Sequence, residues 1–196
     1  MQPFTTHTGL VAPLPKRDID TDQIIPKQFL KRLGRTGFDD ALFYDWRGAG
    51  HGRLQPDFVL NDARFTGASV LLAGANFGCG SSREHAVWAL HDYGFRVVLA
   101  PSFADIFASN AVANGLLAAR IDEALLDTLV ARAETTPGYA VTVDLQATMV
   151  RDASGLEAPF TIDARARQRL LEGLDDIALI LRHDDAIRHY EDAHPR

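Results

Sequence analysis

The sequence predicts an α/β fold with both parallel and antiparallel strands, and three observations support this prediction. A short apolar run at 68–73 is followed by a glycine-rich turn and by an amphipathic helix over 84–93. This succession of strand and helix continues to residue 135, which implies parallel strands joined by right-handed crossovers. Residues 141–145 and 148–151 instead alternate apolar and polar side chains with a period of two, which is typical of antiparallel strands.

Each element is predicted from its own apolar pattern and from the turn residues that bound it. Asn114-Gly115 is a typical helix C-terminus, and Ser102 is expected to cap the helix that ends there. Residues 177–181 either extend the preceding helix or form a last strand. No repeat or linker interrupts the chain, so residues 1–196 are expected to form one domain. The remaining predictions are strands at 4–13, 96–100, 116–119 and 158–162, helices at 123–135 and 164–174, and a polar C-terminal helix at about 184–196.

Composition and charge exclude several classes of function. The 196 residues are 46% hydrophobic and 23% charged, which is typical of a globular protein with a substantial core. The net charge of −6 argues against a nucleic-acid-binding protein and against a polybasic membrane surface. No segment approaches the ~20 uninterrupted apolar residues of a membrane span, and the first residues lack the pattern of a signal peptide. A cytoplasmic protein is therefore expected.

Cys79 is the one cysteine of the chain, which excludes an internal disulfide and a cysteine-rich metal site. A cubane iron–sulfur cluster is normally held by several cysteine thiolates. This chain cannot supply them, so no metal or cofactor is expected to be bound by it. If the chain belongs to an iron–sulfur enzyme, the cluster must lie on another polypeptide.

The glycine-rich turn between the strand at 68–73 and the helix at 84–93 is the strongest candidate for a functional site. Its glycines let the backbone adopt conformations that other residues avoid and let a ligand approach closely. Ser81 or Ser82 is expected to cap the helix, and the free amides of the first helical turn point toward the same space. Together with the guanidinium group of Arg83, these groups predict a site for a carboxylate or phosphate.

Known phosphate and nucleophile loops do not account for this turn. A P-loop would need a lysine, and the dinucleotide fingerprint would need a third glycine where Arg83 stands. A Gly-x-Ser-x-Gly elbow is absent as well. An ordinary turn with a serine cap and a solvated arginine remains the alternative to an anion site.

Two segments earlier in the chain carry other candidate residues. The acids at 18–22 alternate as in a calcium loop, but the glycine and the closing glutamate that such a loop needs are missing. Asp20 or Asp22 is instead expected to lie in a solvated turn or to orient an arginine. Residues 24–33 interleave apolar and basic side chains, which is typical of an amphipathic surface helix.

The run from Gly74 to Ala86, Gly-Ala-Asn-Phe-Gly-Cys-Gly-Ser-Ser-Arg-Glu-His-Ala, resembles the signature of the small subunits of 3-isopropylmalate dehydratase, a family of the aconitase superfamily. Two further parts resemble the same family, one at 18–38 and one at 102–117, so the resemblance covers nearly the whole chain. It implies a three-layer β/β/α swivelling domain of the aconitase type. It also implies a heterodimer or larger complex with a large subunit that carries a [4Fe-4S] cluster.

The family reaction moves a hydroxyl group between adjacent carbons of isopropylmalate, a small dicarboxylate, by removing water and adding it back through 2-isopropylmaleate. The resemblance thus implies a role in leucine biosynthesis. Hydroxide needs a Lewis acid in order to leave, and the resemblance implies that the cluster iron of the partner supplies it. By position in the motif, Ser81 matches the serine that acts as the base. Arg83 would then hold a substrate carboxylate, and Ser82 would form hydrogen bonds nearby.

The resemblance also implies roles for the remaining candidates. Residues 24–37 would form a loop that sorts substrates rather than a surface helix, with Arg32 and Arg35 as competing carboxylate ligands. Cys79 is expected to be a small packed residue and not a nucleophile, and His85 either supports the loop or packs within the helix. The other expected substrate-binding residues are Lys31, Ile24, Ile25, Phe29 and Gly80, and the other expected loop-supporting residues are Asp20, Asp22, Asn76 and Gly78.

Three alternatives stay open at this point. A sister hydro-lyase subunit, acting on homoaconitate or a methylmalate-type acid, would differ only in the pocket along residues 24–37. A non-catalytic domain would bind an anion at the glycine-rich turn but would catalyse no reaction. A self-sufficient enzyme is disfavoured because the chain has a single cysteine.

Overall fold

Seven strands form one mixed sheet in the part of the chain that the computed structural model describes, which is residues 1–194 without the side chains of His51 and Asp176. The strands are β1 (Thr6–Leu14), β2 (Val70–Ala73), β3 (Val97–Ala100), β4 (Leu117–Arg120), β5 (Ala140–Asp144), β6 (Met149–Asp152) and β7 (Glu157–Pro159). Their order across the sheet is β4-β3-β2-β1-β5-β6-β7.

The first strand, β1, joins a parallel half and an antiparallel half of the sheet. Its residues 11–14 pair in parallel with β2, and its residues 6–10 pair in antiparallel orientation with β5. The β2–β3 and β3–β4 pairs are parallel, whereas the β5–β6 and β6–β7 pairs are antiparallel. The mixture of strand directions predicted from the sequence is therefore confirmed.

The sheet curls until its two edges meet. At the end of β4, the backbone N–H of Arg120 donates to the carbonyl of Thr161 at 2.9 Å, and the N–H of Thr161 donates back at 2.8 Å. The strand predicted at 158–162 is shorter than expected because β7 ends at Pro159, after which the chain crosses to the opposite edge. This closure turns the antiparallel half of the sheet into a second layer over the parallel half.

Helices cover the outer face of the parallel strands and close the ends of the curled sheet. Helices α3 and α5 lie at the residues predicted from the sequence, and none of the helices in residues 1–194 is long and apolar enough to cross a membrane. The helices are α1 (Thr21–Ile24), α2 (Tyr44–Arg47), α3 (Glu84–Tyr93), α4 (Asp105–Ala113), α5 (Glu123–Thr135), α6 (Ala164–Glu172), α7 (Asp176–Leu181) and α8 (Asp184–Ala193), with short 3₁₀ turns at Lys27–Lys31, Asp39–Ala41, Ala49–His51, Val59–Asn61 and Ala63–Phe65.

The C-terminal region differs in part from the prediction. Gly173 has a φ of 68° and closes α6. The carboxylate of Asp175 accepts a hydrogen bond from the N–H of Ala178 at 2.8 Å and starts a new helix. The segment 177–181 therefore lies in α7, and it neither extends α6 nor forms a strand. The polar helix α8 follows, and residues 195 and 196 of the predicted C-terminal helix lie outside the described residues.

Strands β2, β3 and β4 are buried on both faces, so alternate side chains belong to two hydrophobic cores. Leu72 and Leu99 contribute to the core enclosed by the curled sheet and α5. Leu71 and Val98 contribute to the core on the other face, which α3, α4 and residues 19–65 cover. The structure thus has two layers of β-structure and one layer of helices, as the three-layer prediction requires.

Two half-buried histidines flank Arg96, just before β3. Nε2 of His7 lies 2.8 Å from the hydroxyl of Ser69, and Nη1 of Arg96 contacts Nε2 of His91. Because an arginine can only donate hydrogen bonds, this nitrogen of His91 must accept and the ring must be neutral. Burial lowers the pKa of both histidines, and the positive charge of Arg96 lowers it further, although Asp92 opposes this at His91.

We expect these histidines to make the free energy of unfolding decrease as the pH is lowered. Their pKa values are lower in the folded chain than in the unfolded chain, so the unfolded state binds more protons once the pH falls below about 6.5. Urea titrations between about pH 7.5 and 5.5 measure this decrease, which should be shallower in His91→Gln. His189→Gln, which changes an exposed histidine on α8, should leave the pH dependence unchanged. An identical pH dependence in His91→Gln and the original chain would contradict the assignment.

Candidate active site

Loop segments meet beyond the carboxyl ends of β1, β2 and β3. The backbone N–H of Thr21 donates to the carbonyl of Cys79 at 2.9 Å, which joins the loop after β1 to the glycine-rich turn after β2. On the other side of the turn, the N–H of Phe77 donates to the carbonyl of Ser102 at 3.1 Å. The parallel pairing therefore continues past the sheet into the glycine-rich turn. Ligands of open parallel sheets bind at this edge.

Gly78 and Asn76 determine the shape of the turn. Gly78 has a φ of 77°, and a Cβ atom added to it would lie 2.3 Å from Cγ of the buried Phe107. Asn76 is also left-handed, with a φ of 60°, and its side-chain amide donates to the carboxylate of Asp18 at 2.8 Å. The backbone N–H of Asn76 donates to the hydroxyl of Ser102 at 2.8 Å. These contacts hold the turn in one conformation.

The serine caps expected from the sequence are wrong. Arg83 occupies the N-cap position of α3, and no side chain accepts a hydrogen bond from the first turn. The N-cap of α4 is Ala104, because the hydroxyl of Ser102 accepts its hydrogen bond from the glycine-rich turn instead. Ser102 is thus used in a tertiary hydrogen bond and not as a helix cap.

The missing cap leaves polar groups available at the start of α3. Ser81 and Ser82 are exposed, and within residues 1–194 neither hydroxyl forms a hydrogen bond. The backbone of Ser81 is nevertheless fixed, since its carbonyl accepts a hydrogen bond from the hydroxyl of Thr21 at 2.8 Å. Uncapped amides at a helix N-terminus attract anions. Two exposed serines therefore precede the uncapped amides of α3.

Arg83 forms an ion pair with Asp22 of α1 through its Nη1 atom. The Arg83 side chain is 14% exposed and the Asp22 side chain is 51% exposed, so an exposed acidic residue orients a largely buried arginine. A guanidinium group has five N–H donors, and this pair leaves donors for a ligand carboxylate. Asp20 has a different role, because it caps α1 by accepting from the N–H of Gln23 at 2.7 Å.

Residues 24–37 form a loop with a short 3₁₀ turn at Lys27–Lys31, and not an amphipathic helix. Ile24 and Ile25 are completely buried in the hydrophobic core, and Phe29 is 9% exposed. The expected contact of the two isoleucines with substrate does not fit this arrangement, since neither side chain has accessible surface. They instead anchor the loop to the core.

Arg32 and Arg35 differ in what they contact. Arg32 forms a two-point ion pair with Asp40, with N–O distances of 2.6 and 2.8 Å, and donates to the carbonyl of Gly37 at 2.7 Å. This ion pair ties Arg32 of the loop to Asp40, which lies just after the loop. Arg35 is exposed, and its guanidinium carbon lies 5.9 Å from the centre of the Trp88 ring. The guanidinium group of Arg35 is therefore the more available of the two to a ligand.

Cys79 is half-buried, and burial together with the negative charges of Asp20 and Asp18 raises the pKa of its thiol. The thiol is therefore protonated at neutral pH, which disfavours a nucleophilic role. Among residues 1–194, no group of three or more histidine, cysteine, aspartate and glutamate side chains is placed to hold a metal ion.

His85 packs between two aromatic rings. Its ring meets Phe38 edge-on at a centroid distance of 5.4 Å and lies 4.5 Å from the Trp88 ring. Burial lowers the pKa of His85. Of the other residues expected at the site, Gly80 and Lys31 are exposed. His85 thus joins Phe38, the residue that directly follows the loop at 24–37, to Trp88 on α3.

Two family models match consecutive parts of the chain. The model of the aconitase C-terminal domain matches residues 1–124, and the model described as LeuD_N matches residues 127–164. A 3-isopropylmalate dehydratase small subunit from Koribacter versatilis is 56% identical over 194 residues, which are 99% of this chain and 100% of the relative. The chain belongs to the family of 3-isopropylmalate dehydratase small subunits. A second relative of that name, from Brevibacillus brevis, is 54% identical over 191 residues, which are 97% of this chain and 98% of the relative.

The fold agrees with that of the isopropylmalate dehydratase family. The crystal structure of 3-isopropylmalate dehydratase (leuD) from Methanocaldococcus jannaschii matches this structure with a TM-score of 0.67 and 25% sequence identity. The match covers 95% of this chain and 99% of the other. The expected swivelling domain of the aconitase type is therefore confirmed.

No role is predicted from the sequence for three residues that support the site of this small subunit. These residues, Asp40, Thr21 and Trp88, make the contacts described above. Asp40 and Thr21 meet their partners only through the tertiary fold. For Trp88 a usable signal exists, because helical spacing places it on the same face of α3 as His85, three residues earlier.

A cavity of about 560 Å³ lies apart from this site, between α4, β4 and α6. Apolar side chains such as Phe103 and Val112 line it together with Arg120 and Arg165. It contains none of the residues predicted for the site of the small subunit. The glycine-rich turn, which lies at the open edge of the sheet, therefore remains the candidate active site.

Proposed function

We propose that this chain, as the small subunit of a 3-isopropylmalate dehydratase, interconverts 2-isopropylmalate and 3-isopropylmalate through 2-isopropylmaleate in leucine biosynthesis. The observation that carries the proposal is the 54% and 56% identity, over nearly the full length of both chains, to curated relatives of that name. The site supports it, because exposed serine hydroxyls, an arginine and uncapped helix amides lie together on one turn.

Ser81 is proposed as the base that removes a proton from the carbon next to a substrate carboxylate and returns it in the reverse direction. A serine hydroxyl is a weak base, so its ionised form must be stabilised. The uncapped amides of α3 and the guanidinium group of Arg83 supply positive charge close to the serine. Ser82 is proposed to donate a hydrogen bond in the same region.

Arg83 and Arg35 are proposed to bind the two carboxylates of the substrate. Arg83 is oriented by Asp22 and keeps free donors. Arg32 is the weaker candidate for the second carboxylate, because both of its terminal nitrogens already donate to Asp40. Arg35 lies against the Trp88 ring and forms no ion pair within residues 1–194, so a ligand can engage it without breaking one.

The [4Fe-4S] cluster is proposed to lie on the large subunit. The residues of this chain do not fit such a cluster, because the chain has one cysteine and because residues 1–194 contain no cluster of potential metal ligands. The relatives are named small subunits, which implies a large partner. We propose that this partner covers the exposed residues 80–82 of the turn and completes the site, in a heterodimer or larger complex in the cytoplasm.

Reconstitution tests the proposal. We expect conversion of 3-isopropylmalate only when this chain is mixed with a cluster-loaded large subunit. In the mixture, Arg83→Ala should lower kcat/KM by about 100-fold or more, since a charged two-point contact to substrate is lost. Arg64→Ala, which removes an exposed arginine outside the turn, is the matched control and should keep full activity. Turnover by this chain alone, or turnover of homoaconitate or a methylmalate-type acid in place of isopropylmalate, would contradict the proposal.

A further inference from the structure

The side chain of Asn114, at the end of α4, is hydrogen-bonded to two turns of α3. Its Oδ1 accepts from Nε1 of Trp88 at 3.0 Å, and its Nδ2 donates to the carboxylate of Glu84 at 2.9 Å. Nδ2 also donates to the carbonyl of Asn110 at 2.9 Å, so both N–H donors of the amide are used. Glu84 is the first residue of α3 and directly follows Arg83. The amide of Asn114 therefore links the start of α3 to the orientation of the indole ring.

The Trp88 ring in turn contacts Arg35 of the loop at 24–37 and Phe38, which follows this loop. The ring centre lies 5.7 Å from that of Phe38 and 4.5 Å from that of His85, and the guanidinium carbon of Arg35 lies 5.9 Å from it. A guanidinium group is attracted to an indole ring within about 6 Å. Phe38 is fixed separately, because its N–H donates to the carboxylate of Asp92 at 3.0 Å. Arg35 itself forms no hydrogen bond, ion pair or further ring contact within residues 1–194.

We propose that Trp88 and Asn114 are positioning residues that set where the guanidinium group of Arg35 meets the substrate. Neither touches the substrate. The inference rests on the proposed function, in which Arg35 binds the second carboxylate. When the hydrogen bond from Trp88 is removed, the indole ring loses its fixed orientation, and Arg35 loses the surface against which it lies. The rest of the loop keeps its place, because the Arg32–Asp40 ion pair and the hydrogen bond from Phe38 to Asp92 remain.

NMR of the chain alone tests the coupling without any measurement of activity. In Asn114→Ala, the indole N–H signal of Trp88 and the ring-current-shifted Cδ–H signals of Arg35 should both move. Asn110→Ala, one turn earlier on α4, keeps the backbone carbonyl that Asn114 uses and should move neither signal. Movement of the Trp88 signal with an unchanged Arg35 signal would overturn the proposal.

Kinetics of the reconstituted complex give the second test. Asn114→Ala and Trp88→Phe, which keeps a ring but not the N–H, should each raise KM about tenfold and change kcat less than about threefold. In an Arg35→Ala background the same changes should alter KM by less than about twofold, because they act through Arg35. Additive effects in that background, or a loss of kcat at constant KM, would refute the inference. An inactive unaltered complex would refute the proposed function instead, and the NMR result would still decide the positioning.

Discussion

The Ser81→Ala complex is expected to lose about 10²- to 10⁴-fold in kcat, with KM changed by less than about threefold. In the proposed reaction Ser81 acts on the proton, whereas the carboxylates of the substrate are bound by arginines. The serine is exposed and its hydroxyl has no partner within residues 1–194. The free energy of unfolding should therefore stay within about 0.5 kcal/mol of that of the original chain. A loss confined to kcat would separate proton transfer from binding.

Controls for this experiment come from two other exposed serines. Ser82→Ala removes the neighbouring hydroxyl and should cost less kcat than Ser81→Ala. Ser109→Ala, on α4, should have no effect. Incorporation of deuterium from heavy water into the substrate, measured by mass spectrometry, reports the proton step directly and should be abolished together with turnover. If Ser81→Ala instead raised KM at constant kcat, the turn would bind the anion only, which is the non-catalytic alternative.

Gly78→Ala is expected to destabilise the chain by more than about 3 kcal/mol. The glycine has a φ of 77°, and a new Cβ atom would lie 2.3 Å from Cγ and 2.5 Å from Cδ2 of Phe107. Phe107 cannot retreat, because it is 2% exposed and packs against Phe77 and Phe103 with centroid distances of 5.1 and 6.2 Å. The substitution therefore adds a steric clash in the core to the strain of a left-handed backbone.

Gly80→Ala provides the matched control two residues later. Gly80 has a φ of 85°, but its added Cβ atom would come no closer than 3.3 Å to another heavy atom, the Cβ of Asp20. Backbone strain without a hard clash should cost about 1 to 2 kcal/mol. Urea unfolding of the two variants at neutral pH measures the difference. Equal losses in both would show that the left-handed backbone, and not the Phe107 ring, accounts for the requirement for glycine.

Much of the fold could be predicted because its determinants are local. The helices α3 and α5 follow from apolar residues at helical spacing, and α3 ends at Gly94 in the left-handed conformation that favours glycine. The parallel strands β2, β3 and β4 are short apolar runs that take turns with helices along the chain, and the antiparallel strands β5 and β6 alternate apolar and polar residues. The closure of the sheet through Arg120 and Thr161 had no such local signal, because it joins two residues that are distant in sequence.

The sequence predicts which residues form the candidate site, but not which residues they contact. The glycines, hydroxyl groups and arginine of the turn predict a site there, yet Ser81 and Ser82 do not cap α3. Both serines fit the local preference for a cap, and the tertiary hydrogen bond from Thr21 is one of the contacts that decide the backbone there. The choice between Arg32 and Arg35 depends in the same way on Asp40, which only the folded loop brings into contact.

The central position of β1 matters while the chain is being synthesised. The ribosome releases β1 first, but this strand lies in the middle of the sheet, and its partner β5 emerges only after α5. Until β5 is made, the side of β1 that faces it is an open strand edge, which can pair with other chains. Such long-range pairing also forms slowly. Pairing with β5 therefore closes an edge of β1 that stays open until most of the chain has been made.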